Sequence, residues 1–190
     1  MTVASSAMIG GTGAHKRHAS DFYQTPPEAT IALLRRHSWL IAGKVWEPAC
    51  GEGAISKVIL QCPGAHTYCT DIRPTGYTSS GVDYLTAPPP GPHTVITNPP
   101  FNLAEEFIRK ACSEAEGVAM LLKATFWNAK SRLALFNETK PSFVHPLTWR
   151  PAMAPDRGKS PTMDFCWTVW AKQRKQEAPF PCIFEPLAKP

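Results

Sequence analysis

The chain alternates short β-branched or apolar runs with longer stretches in which apolar residues recur at helical spacing. Lys44-Val45-Trp46-Glu47 predicts a short strand, and Gly51-Glu52-Gly53 a tight turn into a helix over 54–61 that Cys62-Pro63-Gly64 ends. Residues 66–70 predict the next strand, and a third short one precedes Asp83. The β-branched run 93–97 predicts a strand entering Asn98-Pro99-Pro100. Asn102 with Glu105 three residues on gives a near capping box, and Leu103, Phe107 and Ala111 share one face of the helix that follows. Residues 117–124 read as an apolar strand, 127–137 as a helix, and 142–148 and 165–171 as two further strands around a proline-rich excursion. Upstream, Pro26-Pro27 opens a helix with Thr25 as its N-cap and Ile31, Leu33 and Leu34 on its buried side. It runs to Leu40 or Ile41 and is stopped by Gly43.

Strand and helix alternate from 44 to 137, which predicts a doubly wound α/β domain: a mostly parallel sheet with helices on both faces. The last two strands have no helix between them and predict an antiparallel C-terminal end. Residues 1–20 lack periodicity and read as a flexible arm, 21–171 as a single domain, and 172–190 as a proline-rich tail. The tail segment Phe180-Pro181-Cys182-Ile183-Phe184 is apolar enough to pack on its own domain or on a partner.

Composition narrows the picture modestly. The 190 residues suit one domain, and 43% hydrophobic content excludes disorder throughout. Proline, at 20 residues, is about twice the usual ~5%, so many loops are stiff. A net charge of +5 leans toward polyanionic partners, although a basic surface kept for solubility explains it equally well. No run is long enough for a membrane span, and Met1 to Gly13 lacks the basic start of a secretory signal. The six cysteines show neither C-x-x-C nor zinc spacing, so they read as reduced thiols of a cytoplasmic protein, with no metal site.

In such a sheet ligands bind beyond the carboxyl ends of the strands, where four segments fall. Glu47-Pro48-Ala49-Cys50-Gly51-Glu52-Gly53 is a strand-to-helix turn whose glycines let backbone approach a ligand. Asp71 follows the next strand 18 residues beyond Gly53, a spacing suited to ribose hydroxyls; the alternative is a turn aspartate capping Arg73-Pro74. Asp83-Tyr84 sets a carboxylate beside an aromatic ring. Asn98-Pro99-Pro100-Phe101 is the sharpest of the four. Its prolines remove two donors and fix the backbone, so nearby carbonyls and the Asn98 side chain act as rigid acceptors beside a flat ring. That set suits a planar heterocycle with an exocyclic amine, whose nucleophilicity rises when its N–H groups are held by acceptors.

Together with Phe22-Tyr23-Gln24-Thr25-Pro26-Pro27-Glu28, these segments resemble, in order, the motifs of S-adenosylmethionine-dependent DNA adenine-N6 methyltransferases of the gamma type. The resemblance covers residues 22–128 and implies a class I methyltransferase, Rossmann-like sheet and S-adenosyl-L-methionine as cofactor. It implies that Phe22, Tyr23 and Thr25 lie along the methionine part of the cofactor. Glu47, Pro48, Ala49, Cys50, Gly51 and Gly53 would line its amino-acid and sulfonium region. Asp71 would take the ribose hydroxyls with Ile72 against the adenine ring, Asp83 the adenine amine, and Tyr84 would flank that ring. Asn98 and the Pro99 carbonyl would grip the target amine, with Pro100 rigidifying the loop and Phe101 stacking on a base flipped from double-stranded DNA.

Enzymes of this type usually carry a large recognition domain, which has no counterpart in these residues. The excursion 149–163, with Arg150, Arg157 and Lys159, is the candidate DNA contact, weighed against a plain connecting loop. Target specificity is then loose or supplied by a homodimer or a separate specificity subunit. Alternatives from the same chemistry are an amine in RNA or a protein glutamine; a non-catalytic cofactor-binding subunit is a further one. Gly10-Gly11-Thr12-Gly13 has no preceding strand, and His15 and His18 have no companions to complete a metal site, so both are set aside.

Overall fold

The computed structural model describes residues 23–153, 161–172 and 181–190. In chain order the elements are α1 (Pro27–Arg36), β1 (Lys44–Glu47), α2 (Ala54–Ile59), β2 (His66–Asp71), β3 (Ser79–Ser80) and β4 (Thr94–Thr97). They continue with α3 (Ala104–Glu114), β5 (Gly117–Lys123), α4 (Arg132–Thr139), β6 (Phe143–Pro146), β7 (Phe165–Ala171) and β8 (Ile183–Phe184). The eight strands form one sheet in the order β3-β2-β1-β4-β5-β7-β6-β8. Strands β1 to β5 are mutually parallel, and β7 is antiparallel to both its neighbours.

Both faces of this sheet are buried, as a parallel sheet requires. Alternation within single strands divides the core in two. On β5, Ala119 and Leu121 pack with Val45, Ile96, Trp167 and the apolar sides of α1 and α2. Val118, Met120 and Leu122 face the other way, onto Trp46, Val95, Trp170 and the inner sides of α3 and α4. Two buried indole nitrogens are satisfied within this packing: Trp167 donates to the Ala29 carbonyl at 2.8 Å and Trp46 to Thr70 Oγ1 at 2.9 Å.

Several expectations change at the element ends. Thr25 does not cap α1. The N-cap is Pro26 with ψ 142°, because a residue before proline is kept out of the helical region, and the helix starts at Pro27. Helix α1 also stops at Arg36: His37 leaves the helical region (φ −132°, ψ 57°), and a separate 3₁₀ turn covers Ser38–Ile41. The Asn102 capping box does not form. A 3₁₀ turn over Phe101–Leu103, closed by Leu103 N–H on the Pro100 carbonyl at 2.9 Å, delays α3 to Ala104. The helix expected over 127–137 splits into a 3₁₀ turn and α4, with the Trp127 indole docked against Thr168 of β7 at 3.4 Å.

The C-terminal end also differs in detail. Strand β6 lies outside β7, so β7 alone runs against the rest, and the tail adds β8 parallel to β6. Beyond β8, Leu187 is buried and bridges to Leu147, whereas Phe184 of the apolar tail segment is exposed and Phe180 lies outside the described residues. Among the described residues, no helix is long and apolar enough to cross a membrane, and no group of metal-ligating side chains is assembled.

The order reverses between β1 and β4. Chain direction leaves the sheet on opposite sides there, opening a crevice at the carboxyl ends of these two strands. The segments after Glu47 and after Thr97 are therefore neighbours.

Candidate active-site cleft

A cleft of about 740 Å³ occupies this crevice. Its walls come from the segment before α1, the β1–α2 turn, the ends of β2, β4 and β5, the Asp83-Tyr84 turn and the start of α3. Of the residues singled out from sequence, Tyr23, Thr25, Glu47, Pro48, Ala49, Cys50, Asp71, Ile72, Asp83, Tyr84, Asn98, Pro100 and Phe101 all line it. Gly51, Gly53 and Pro99 belong to the same loops without lining it, and Phe22 lies outside the described residues.

The glycine turn is built by backbone geometry. Gly51 and Gly53 have φ of 53° and 77°, and a Cβ on Gly53 would overlap the ring of Tyr77. Gly51 N–H donates to Asp71 Oδ2 at 2.8 Å, tying the turn to the end of β2. Glu47 is 2% exposed and accepts hydrogen bonds from the N–H of Ser56, at 2.9 Å, and from its hydroxyl. Burial outweighs these bonds and pushes the Glu47 carboxyl up to about 8.

Asp71 is also buried, but its environment has the opposite effect. Burial alone would raise it; Arg73 and the Gly51 N–H prevail and hold it below the usual aspartate range. Arg73 supplies its backbone N–H (2.8 Å) and Nε (3.0 Å) to Oδ1 and Nη2 (3.1 Å) to Oδ2. With the Gly51 N–H, these contacts use the roughly four lone-pair sites a carboxylate offers. The turn-capping alternative for Asp71 is therefore present in the structure.

Asp83 caps its own turn, Oδ1 accepting the Leu85 N–H at 2.9 Å. Tyr84 is 2% exposed, wedged against Trp46 at 4.9 Å and Phe107 at 4.7 Å between ring centroids. It presents little surface to the cleft, and burial drives its unpaired phenol well above the usual range. Ile72 is 61% exposed and provides an apolar surface at the rim.

The Asn98 side chain is held by one end. Its amide Nδ2 donates to the Tyr23 carbonyl at 3.1 Å, while Oδ1 is buried without a hydrogen-bond partner. Among the described residues no backbone N–H reaches the Pro99 carbonyl. The ring of Phe101 is covered: Tyr23 stacks on it at 5.3 Å and 24°, Phe165 tilts against it at 6.0 Å, and the Lys123 ammonium lies 4.2 Å from its centroid. A planar ligand reaches Phe101 by displacing Tyr23 or Lys123.

Arg150 is not brought to the cleft. It is exposed and pairs with Asp164 at 2.8 Å across the base of the excursion, and Arg157 and Lys159 lie outside the described residues. Sequence reasoning missed Gln24 and Glu52, which hydrogen-bond to each other at the cleft wall, and it missed Lys123. Only the position of Lys123 at the end of an apolar strand could have signalled it.

No protein-family model and no curated protein sequence matches the chain. Solved structures do. A Listeria monocytogenes protein assigned to the class I S-adenosylmethionine-dependent methyltransferases superposes with a TM-score of 0.63 at 13% identity, over 88% of this chain and 66% of that one. The chain has the class I methyltransferase, Rossmann-like fold. A Pyrococcus horikoshii protein assigned as an RNA methyltransferase gives a TM-score of 0.59 at 18% identity, over 79% of this chain and 87% of that one. The methyltransferase subunit of a type I restriction-modification system from Streptococcus thermophilus gives 0.57 at 13% identity, over 83% of this chain but 46% of that one.

Proposed function

We propose that this protein transfers a methyl group from S-adenosyl-L-methionine to the exocyclic N6 amine of adenine in DNA. The observation that carries this reading is Asn98: a buried, unpaired carbonyl oxygen just beyond the end of β4, fixed by its own amide on Tyr23, in a cleft that Phe101 also lines. A buried acceptor without a partner is costly, and an amine N–H is the group that relieves it.

The cleft residues fit the cofactor with one rearrangement. Backbone of the Gly51–Gly53 turn gives a ligand close approach, buried Glu47 faces the end where an ammonium would sit, and Asp83 keeps Oδ2 for an adenine amine. Ile72 supplies the apolar surface for the adenine ring, and Tyr84 lines the same cleft. Asp71 can take ribose hydroxyls once the guanidinium of Arg73 turns away. When bound, the cofactor supplies an electrophilic methyl group on a sulfonium sulfur.

The chain's own contribution is positional. Asn98 Oδ1 accepts one N–H of the target amine and the Pro99 carbonyl the other, which drives the nitrogen lone pair out of conjugation with the ring. Phe101, vacated by Tyr23 or Lys123, stacks on the flipped base and fixes its angle of approach. The spent proton leaves to solvent, so no general base is needed.

The same site suits an amine in RNA, a second reading favoured by the likeness to the Pyrococcus protein assigned as an RNA methyltransferase. Incubation with tritiated S-adenosylmethionine and mixed nucleic acid, split into DNase and RNase arms, separates the two. We expect the label to survive RNase and vanish with DNase; the reverse result moves the acceptor to RNA.

A further inference from the structure

Four carboxylates, Glu47, Glu52, Asp71 and Asp83, line the β1–β2 side of the cleft, and the guanidinium of Arg73 is spent on Asp71. Across the cleft, Lys123 also lines the wall. In the β4–β5 register Thr97 lies beside Met120, so β5 runs three residues further and carries Lys123 above Asn98–Phe101. Among the described residues no carboxylate or carbonyl partners its ammonium, which rests instead on the Phe101 ring at 4.2 Å. The basic residues of the neighbouring α3–α4 flank are committed: Arg109 and Arg132 pair with Glu105, and Lys110 with Glu114. Lys123 is thus a cation in the acceptor half of the cleft, held among the described residues by an aromatic face that the acceptor itself would claim.

We propose that Lys123 binds a backbone phosphate of the acceptor nucleotide, next to the base that stacks on Phe101. The inference rests on the amine-methylation reading above and sharpens it, naming a phosphodiester-bearing acceptor over a neutral glutamine side chain. An ammonium leaves a ring face readily for a phosphate oxygen, because the charge-assisted hydrogen bond is the stronger contact. Entry of the base and transfer of the ammonium then become one coupled event: the base takes the ring and its phosphate takes the cation.

The test uses the full chain, saturated with S-adenosylhomocysteine in the binding arm, and compares wild type, Lys123→Gln and Lys123→Arg. In the kinetic arm we expect Lys123→Gln to raise KM for DNA about tenfold, the worth of one charge-assisted hydrogen bond. The slope of log affinity for duplex DNA against log salt should fall by about one, with Lys123→Arg restoring both. In the binding arm 2′-deoxyadenosine 3′,5′-bisphosphate and 2′-deoxyadenosine are titrated separately. Wild type should prefer the bisphosphate and Lys123→Gln should lose that preference alone. Unchanged salt slope and unchanged preference overturn the proposal. Weakened S-adenosylhomocysteine binding in Lys123→Gln also overturns it, moving the lysine to the cofactor carboxylate. If wild type methylates no nucleic acid but still selects the bisphosphate through Lys123, the phosphate contact stands and the methylation reading falls.

Discussion

Glu47 and Asp71 end neighbouring strands, both almost fully buried, yet their carboxyls are driven in opposite directions. Asp71 receives four N–H donors from Gly51 and Arg73, enough to overcome burial; Glu47 receives only the two groups of Ser56, and burial wins. A carboxyl raised from 4.5 to about 8 keeps its proton in the folded chain while the unfolded chain releases it. Glu47 therefore costs stability progressively as pH rises from about 4.5 to 8. Glu47→Gln, which preserves an acceptor for Ser56, should raise Tm at pH 8 and leave it nearly unchanged at pH 4. The same variant should weaken S-adenosylhomocysteine binding at pH 8, where the Glu47 carboxyl is about half ionised, by removing the charge that meets its ammonium. Calorimetry at both pH values checks this, and an equal Tm shift at the two would contradict the assignment of Glu47 as a protonated buried acid.

At the scale of elements, β8 is attached to the body by a chain of rings. Trp39 Nε1 donates to His37 Nδ1 at 3.2 Å, which leaves His37 Nε2–H to donate to His145 Nε2 at 2.7 Å and His145 Nδ1–H to donate to the Glu185 carbonyl at 2.6 Å. One neutral tautomer of each ring satisfies every contact, and a further proton breaks the chain. Burial, reinforced by His145, lowers His37 to about 4, and burial lowers His145 as well. The unfolded chain takes up protons below about 6.5 that the folded chain refuses. This stabilisation is complete above that pH and declines as pH falls toward 4. Hydrogen exchange should show the Ile183, Glu185 and Leu187 amides, bonded to Ser142, Val144 and Pro146, losing protection at pH 4.5 ahead of β5. Uniform loss across the sheet would contradict this account.

The same elements mark what could be read in advance. β-branched runs and the glycine turn are local signals, so β1, β2, β4, β5 and β7 were legible within a residue or two. Strand β8 was not, because two residues carry no alternation and their pairing is decided by docking on β6. The ends of α1 and α3 were misread because consecutive prolines and a 3₁₀ turn move each start past the polar residue that resembles a cap.

For the whole molecule, the reversal of strand order between β1 and β4 gathers segments scattered over a hundred positions into one cleft. That is why the ordered motifs located the site, and why Lys123 escaped notice: its importance comes from the ring of Phe101 that it meets across the fold, whereas the Asp71–Arg73 contact is local and was legible as a turn. One measurement bears most directly on the account. Unmethylated genomic DNA is treated with wild type and with Asn98→Ala, then digested to nucleosides for mass spectrometry, with S-adenosylhomocysteine affinity measured in parallel. The account predicts N6-methyladenine from wild type and, with cofactor affinity retained, a yield lower by about a hundredfold from Asn98→Ala, the loss typical of one transition-state hydrogen-bonding group. Wild-type yield from Asn98→Ala, or a methylated nucleoside other than N6-methyladenine, would contradict it.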